Sequence, residues 1–265
     1  SYAVTKAAVA HLTKYLATYW APYNIRVNTL TPHGIFNSQD EQFTRRYADR
    51  CPLGRMATKD EVNGGLLVLC SDASSDLTGA IWIHGGGWQA GDKSSVQIKP
   101  QFFVDKGFVF VSTNYRLLPD FDMGTIVRDI AKSIHWVHDH IAEHGGDPER
   151  LFVMGHSAGA QLAALISIDE RYLKAEGLPL TIVKGCVPVD GDSYDVPLQI
   201  ATVGPRLKDV YGWKFGDPAS QRELSSITYV AAGRPIPPIA VLHVAEHPET
   251  KLQSETVVAA LKKAG

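Results

Sequence analysis

The pentapeptide Gly155-His156-Ser157-Ala158-Gly159 constrains this chain more than any other stretch. The residues before it, Leu151-Phe-Val-Met154, are apolar and suit a buried strand. Those after it, Ala160-Gln-Leu-Ala-Ala-Leu-Ile166, favour a helix. Gly-x-Ser-x-Gly between a strand and a helix predicts a nucleophile elbow. Such a turn is so tight that the residues flanking the serine must lack bulk. It lifts the hydroxyl above the sheet at a helix N-terminus. The same five letters also occur in ordinary turns, and the framing strand and Ala/Leu-rich helix set this copy apart.

Composition excludes more than it selects. With 265 residues, 45% hydrophobic and 20% charged, the chain suits one large globular domain or two small ones. A formal net charge of -2 provides no electrostatic footprint for nucleic acid or an anionic membrane surface. No apolar run is long enough to span a bilayer. Cys51, Cys70 and Cys186 form neither a disulfide framework nor a zinc spacing, so a reducing, cytoplasmic compartment is expected. Nothing in the composition opposes a homo-oligomer.

The first eighty residues have their own pattern. Ser1 to Trp20 is rich in Ala and Leu, with Val9, Leu12 and Leu16 at helical spacing. Tyr2 and Lys6, four apart, share a face of that helix. Ala21-Pro22 ends it, and Ile25 to Pro32 predicts a short strand closed by proline. A polar, mixed-charge segment runs to Arg50, and the capping box Thr58-Lys-Asp-Glu61 predicts a second helix through Leu69.

The runs Ser1-Tyr2-Ala-Val-Thr-Lys6-Ala-Ala, Ile25-Arg-Val-Asn28, Pro32-His-Gly34, Pro52-Leu-Gly-Arg55 and Ser71 to Gly79 resemble the C-terminal half of a short-chain dehydrogenase/reductase. The resemblance implies a partial Rossmann-type segment in which Tyr2 corresponds to the general acid/base and Lys6 to the residue that lowers its pKa and holds the ribose. The glycine-rich fingerprint that binds the dinucleotide pyrophosphate lies upstream of that tyrosine in the family and is absent here. The segment is therefore expected to play a structural role, with no cofactor.

At Ile81-Trp-Ile-His84-Gly85-Gly86-Gly87-Trp88 the sequence changes character. This run, with the elbow, resembles the His-Gly-Gly-x-Trp esterases of the α/β-hydrolase fold, the group related to kynurenine formamidase and hormone-sensitive lipase. The two resemblances meet at a Gly-Gly-Trp, which marks the chain as a hybrid: a dehydrogenase-like segment, 1–80, then an α/β-hydrolase domain, 81–265, shortened at both ends.

From residue 81, strands and helices alternate. Ile81–His84, Phe108–Tyr115, the elbow strand, Ile182–Val189 and Ile239–Val244 are predicted strands. Ile126, Ile130, Ile134, Val137 and Ile141 mark one face of a long helix that Gly145-Gly146 ends, and Leu252 to Lys263 predicts a closing helix. The fold class is α/β, with a mostly parallel sheet covered by helices on both faces. Tyr194 to Pro238 is expected to be an irregular lid over a substrate pocket.

Acyl transfer needs a nucleophile, a base, an orienting acid and donors for the oxyanion. The resemblance implies Ser157 as nucleophile, with oxyanion donors from the backbone of Ala158, Gly86 and Gly87. A phosphate loop is the other use of a glycine run, but neither Gly-x-Gly-x-x-Gly nor a Gly-Lys-Ser/Thr ending is present. In this family the acid follows the strand that here reads Ile239–Val244. That implies Glu246 or Glu249, with Glu249 preferred because it precedes the next helix. Relatives place the histidine on a loop after the acid, and no histidine follows His247. His247 is the remaining candidate base, in an arrangement novel to the family. His140 and His144 are four apart, but no His-Glu-x-x-His pattern joins them, so a solvated face and no metal site are expected.

These residues support a serine esterase acting on small-molecule, short carboxylic esters through a Ser157 acyl-enzyme, impaired where the usual histidine is missing. The alternatives are a reductase remnant that uses a nicotinamide cofactor, and a hybrid with no catalysis.

Overall fold

The computed structural model describes residues 2–20, 23, 27, 35–50, 54–56 and 77–265. They fall into two compact units, Ser1–Ser74 and Ser75–Gly265.

In the first unit, helix α1 spans Tyr2–Trp20, close to the expected bounds. The side chains of Tyr2 and Lys6 lie outside the described residues, as do the expected strand over 25–32, Val27 apart, and the helix from Thr58 to Leu69. The polar segment contains helix α2, Glu41–Ala48, which Asp40 starts by accepting a hydrogen bond from Phe43 N–H at 2.8 Å.

The second unit is built on a parallel sheet. Strands β1 (Leu77–Ile83), β2 (Phe108–Thr113), β3 (Gly146–His156) and β4 (Val183–Val189) lie in the order β2-β1-β3-β4. β1 begins four residues earlier than expected and is nearly fully buried, as a central parallel strand should be. The crossover from β1 to β2 passes through α3 (Lys99–Asp105), and that from β2 to β3 through α4 (Met123–His140). Asp122 caps α4 by accepting from Thr125 N–H at 2.6 Å. Its buried residues Met123, Ile126, Val127, Ile130, Ala131, Ile134 and Val137 recur every three to four positions, which turns one stripe to the sheet. Gly145, at φ 79°, then ends the last turn.

The elbow strand feeds α5 (Ala158–Ile168), every residue of which is buried, followed by α6 (Glu170–Ala175). α5 and α4 share the main core with Ile81, Ile83, Leu151 and Val153.

Two expectations fail in the last third. The segment from Tyr194 to Pro238 is largely helical: α7 (Val196–Thr202), α8 (Pro205–Phe215) and α9 (Pro218–Glu223) occupy most of it. Each opens with a proline in the first turn, where a missing N–H costs nothing, and Asp195 and Asp217 cap two of them. Ile239–Val244 is not a strand but touches β4 through two isolated bridges, Cys186↔Ile239 and Val189↔Leu242. The reason lies on the partner strand. Cys186 N–H reaches Pro238 O, Ala240 N–H reaches Cys186 O, Leu242 N–H reaches Pro188 O and Asp190 N–H reaches Leu242 O. The rung between them needs an N–H from Pro188, and proline has none. The closing helix α10 spans Pro248–Ala264.

Candidate active site

Ser157 stands at the junction of β3 and α5 with φ 54° and ψ -120°, a conformation that costs a non-glycine residue of order 1–3 kcal/mol. The surroundings hold it there. Its N–H donates to Val189 O at 2.9 Å, while Ala160 N–H and Gln161 N–H both reach Ser157 O. A Cβ on Gly155 would sit 2.1 Å from Gly159 O, and one on Gly159 would sit 2.2 Å from Ile83 O. The elbow is thus pressed against the end of β1, and only glycine fits on either side of the serine. Ser157 is half-buried, and among the described residues its hydroxyl makes no hydrogen bond.

The same contact brings the glycine run to the serine. A Cβ on Gly85 would lie 3.2 Å from Ser157 Cβ. The run is braced from within. His84 is buried, its ring stacks on Tyr115 at 4.3 Å, and Tyr115 Oη donates to His84 O at 3.0 Å. Burial pushes the Tyr115 phenol well above its ordinary pKa, so it stays a donor. Gly86 O accepts from Gln89 N–H and Ala90 N–H, each at 3.1 Å. Trp88 is buried, with its indole N–H donating to Gln161 Oε1 at 3.2 Å. Gln161 passes the link to Leu224 O at 2.9 Å. Ala158, just after the serine, is buried at the N-terminus of α5.

Asp190, a residue the sequence did not single out, immediately follows β4, and His156 pairs with Val189 in the sheet. Asp190 therefore sits beside the elbow, itself in the left-handed region at φ 53°. Its Oδ2 lies 2.7 Å from His247 Nδ1, and its Oδ1 accepts from Thr250 Oγ1 at 2.7 Å and from Val244 N–H at 3.1 Å. Burial pushes the Asp190 carboxyl up, but these three donors outweigh it and hold the group below its ordinary value. Glu246 and Glu249 are exposed, Glu249 in the first turn of α10, and among the described residues neither pairs with His247. No local motif marks Asp190; its one signal is an acidic residue at the end of the strand next to the elbow.

On the far side of the glycine run, α8 presents Lys214 and Tyr211. Lys214 Nζ donates to Gly87 O at 3.0 Å and lies 5.3 Å from the Trp88 ring centroid. Tyr211 Oη donates to Asp192, whose carboxyl is raised by burial against the pull of Tyr211 and Ser193. The histidines of α4 take ordinary surface partners: His135 meets Asp139 and Glu176, His138 meets Asp139 and Glu149, and His140 meets Trp136 O. Among the described residues no group of three ligands could hold a metal, and no helix is long and apolar enough to cross a membrane.

Comparison with known proteins finds two kinds of match. Residues 67–184 match the BD-FAE family, and residues 1–89 match a family described as Enoyl-(Acyl carrier protein) reductase, so the two matches overlap across the end of one segment and the start of the next. Esterase LipQ of Mycobacterium tuberculosis is 31% identical over 199 residues, covering 70% of this chain and 46% of that protein. Sorbose reductase sou1 of Schizosaccharomyces pombe is 41% identical over 92 residues, covering 33% of this chain and 36% of that one. Among solved structures, esterase 2 of Thermogutta terrifontis, phosphonylated by sarin, has a TM-score of 0.59 at 25% identity, over 72% of this chain and 71% of that one. The chain spans less than half the length of the curated relatives it matches. The larger unit has the α/β-hydrolase fold of the carboxylesterases, preceded by a segment similar to short-chain reductases.

Proposed function

We propose that the larger unit is a serine esterase for short carboxylic esters, with Ser157 as nucleophile and His247, oriented by Asp190, as general base. The observation that carries this reading is the strained Ser157 conformation, clamped between two glycines that tolerate no side chain. Strain of this kind persists where a function requires it. In the proposed step, Ser157 Oγ attacks the ester carbonyl carbon while its proton passes to His247. The N–H groups of Gly86, Gly87 and Ala158 receive the developing oxyanion. Collapse of the adduct breaks the bond to the alcohol, which leaves with the proton, and water repeats the sequence to release the acid. Asp190 supports the base as such acids do, by holding Nδ1–H and leaving Nε2 to work. This moves the acid from Glu249 and Glu246 to the adjacent strand end. Relatives described as esterases favour the same substrate class.

The test is hydrolysis of a short-chain aryl acetate beside stoichiometric labelling with a fluorophosphonate. Turnover and label should both vanish in Ser157→Ala. His247→Ala should lose turnover by about a hundredfold or more. A label that survives Ser157→Ala would sink the reading. For residues 1–74 we propose a structural role, with Tyr2 and Lys6 as ordinary helix residues. A rise in melting temperature with NADH or NADPH would contradict that, since a ligand of the folded state stabilises it.

A further inference from the structure

His247 is the proposed base, and its imidazole has little packing to hold it. The side chain is half exposed, and among the described residues its one side-chain partner is Asp190, with Oδ2 2.7 Å from Nδ1. The ring therefore takes its direction from that bond, and the bond from the way the carboxylate is turned. The terminal torsion of an aspartate is broad, so a carboxylate held at one oxygen alone swings about Cβ–Cγ. Here the other oxygen is held as well. Asp190 Oδ1 accepts from Thr250 Oγ1 at 2.7 Å and from Val244 N–H at 3.1 Å.

Thr250 is the firmer of those two holds. Val244 belongs to the segment that meets β4 at isolated bridges, whereas Thr250 is the third residue of α10. Its hydroxyl is not used to start that helix. His247 O, 3.1 Å away, already accepts from Lys251 N–H at 3.0 Å, so the single hydroxyl proton goes to the charged oxygen. Burial raises the Asp190 carboxyl, and of the donors that bring it back below its ordinary value the Thr250 hydroxyl contributes most. Because α10 starts at His247, base and hydroxyl reach Asp190 together, from one helical turn.

We infer that Thr250 is a positioning residue for the catalytic acid, turning Asp190 so that Oδ2 meets His247 Nδ1–H. This rests on the roles proposed above for Ser157, His247 and Asp190. It makes the start of α10 a clamp that grips both oxygens of one carboxylate.

The experiment compares Thr250→Val, which keeps the shape and removes the hydroxyl, with Thr250→Ser, which restores it. Each is made in the wild type and in Asp190→Gly, where the carboxylate is gone and the left-handed backbone at φ 53° suits glycine. Aryl acetate kinetics, the rate of fluorophosphonate labelling and the melting temperature are measured on all of them. Thr250→Val should lower kcat and the labelling rate about tenfold, a fraction of what loss of the base costs. KM should stay within about twofold, because the base serves both acylation and deacylation. Thr250→Ser should recover most of the loss. In Asp190→Gly, Thr250→Val should change the labelling rate by less than about twofold, since no carboxylate remains to be turned. Thr250→Ala takes the place of Thr250→Val if the valine protein does not fold. A Thr250→Val protein with a lower melting temperature but normal kcat would overturn the inference and leave a docking role. So would a full effect that persists in Asp190→Gly, or one that serine does not recover. If Asp190→Gly keeps the wild-type rate, Asp190 is not the acid, and this inference fails with it while Ser157 stands. If the wild type does not label, or labels independently of Ser157, the esterase reading fails first and this one with it.

Discussion

The two sides of the candidate site are held by different means. The nucleophile side, Gly85 to Trp88 and Gly155 to Gly159, is fixed by backbone crowding: carbonyls stand 2.1–2.2 Å from where a Cβ at Gly155 or Gly159 would project. The base side, Asp190 and His247, is fixed by side-chain hydrogen bonds that converge on one carboxylate. His247 is half exposed at 54%, and the segment that carries it touches the sheet only at isolated bridges. Crowding of backbone leaves a permanent mark in sequence, because glycine is its sole solution. A hydrogen-bond hub leaves almost none, since an aspartate and a histidine fifty-seven positions apart look like any other polar pair.

That contrast can be tested by striking each side in turn. The largest effect should come from Gly159→Ala, where the new methyl meets Ile83 O and His84 O within 2.6 Å. A loss of at least about 3 kcal/mol is expected, read as a collapse of the denaturant midpoint together with loss of fluorophosphonate labelling. A folded, labelling Gly159→Ala protein would mean that backbone crowding does not define the elbow. Next, Asp190→Asn should leave the elbow intact and label slowly, with kcat lower by on the order of a hundredfold. Equal kcat in the two proteins would remove Asp190 from the mechanism and return attention to Glu246 and Glu249.

A smaller effect should separate the sides by pH. The Asp190 carboxyl is held below its ordinary value, so the stabilisation from its ionised form is present above about pH 3.9, the unfolded value, and is lost as pH falls through the lower folded value. The gap in melting temperature between wild type and Asp190→Asn should therefore be wide at pH 7 and close below about pH 4. A gap that does not change with pH would show that the carboxylate charge contributes nothing. The smallest effect should be favourable. Gly212 lies inside α8 with nothing among the described residues within 4 Å of its Cβ direction, so Gly212→Ala should add about 0.5–1 kcal/mol without altering kcat. A change in kcat there would mean that the dynamics of α8 reach the candidate site.

How much was legible follows the same division. The elbow, the glycine run and the buried stripe of α4 could be read directly, because each is a local pattern with a steric or periodic cause. The three helices after Tyr194 carried readable signals as well, in Asp195, in Gly204-Pro205 and in Asp217-Pro218, but their shortness hid any apolar period. The failure of Ile239–Val244 to form a strand was not legible in those residues at all. It is caused by Pro188 on the neighbouring strand, and the pairing had to be known before the missing donor could matter. Asp190 was out of reach for a related reason: its proposed role exists only once two strand ends and a helix start are brought together.

The missing rung at Pro188 also sets the order in which the molecule would come apart under load. Pulled from Gly265, the Ile239–Val244 segment would peel away from β4 as soon as α10 lost its bonds through Thr250 and Gln253, since only alternate residues hold it there. The four continuous parallel strands would resist until later. Ser157 would keep its place after His247 had lost Asp190, and under the proposed roles a stretched molecule would keep a nucleophile that can still be titrated after it can no longer turn over.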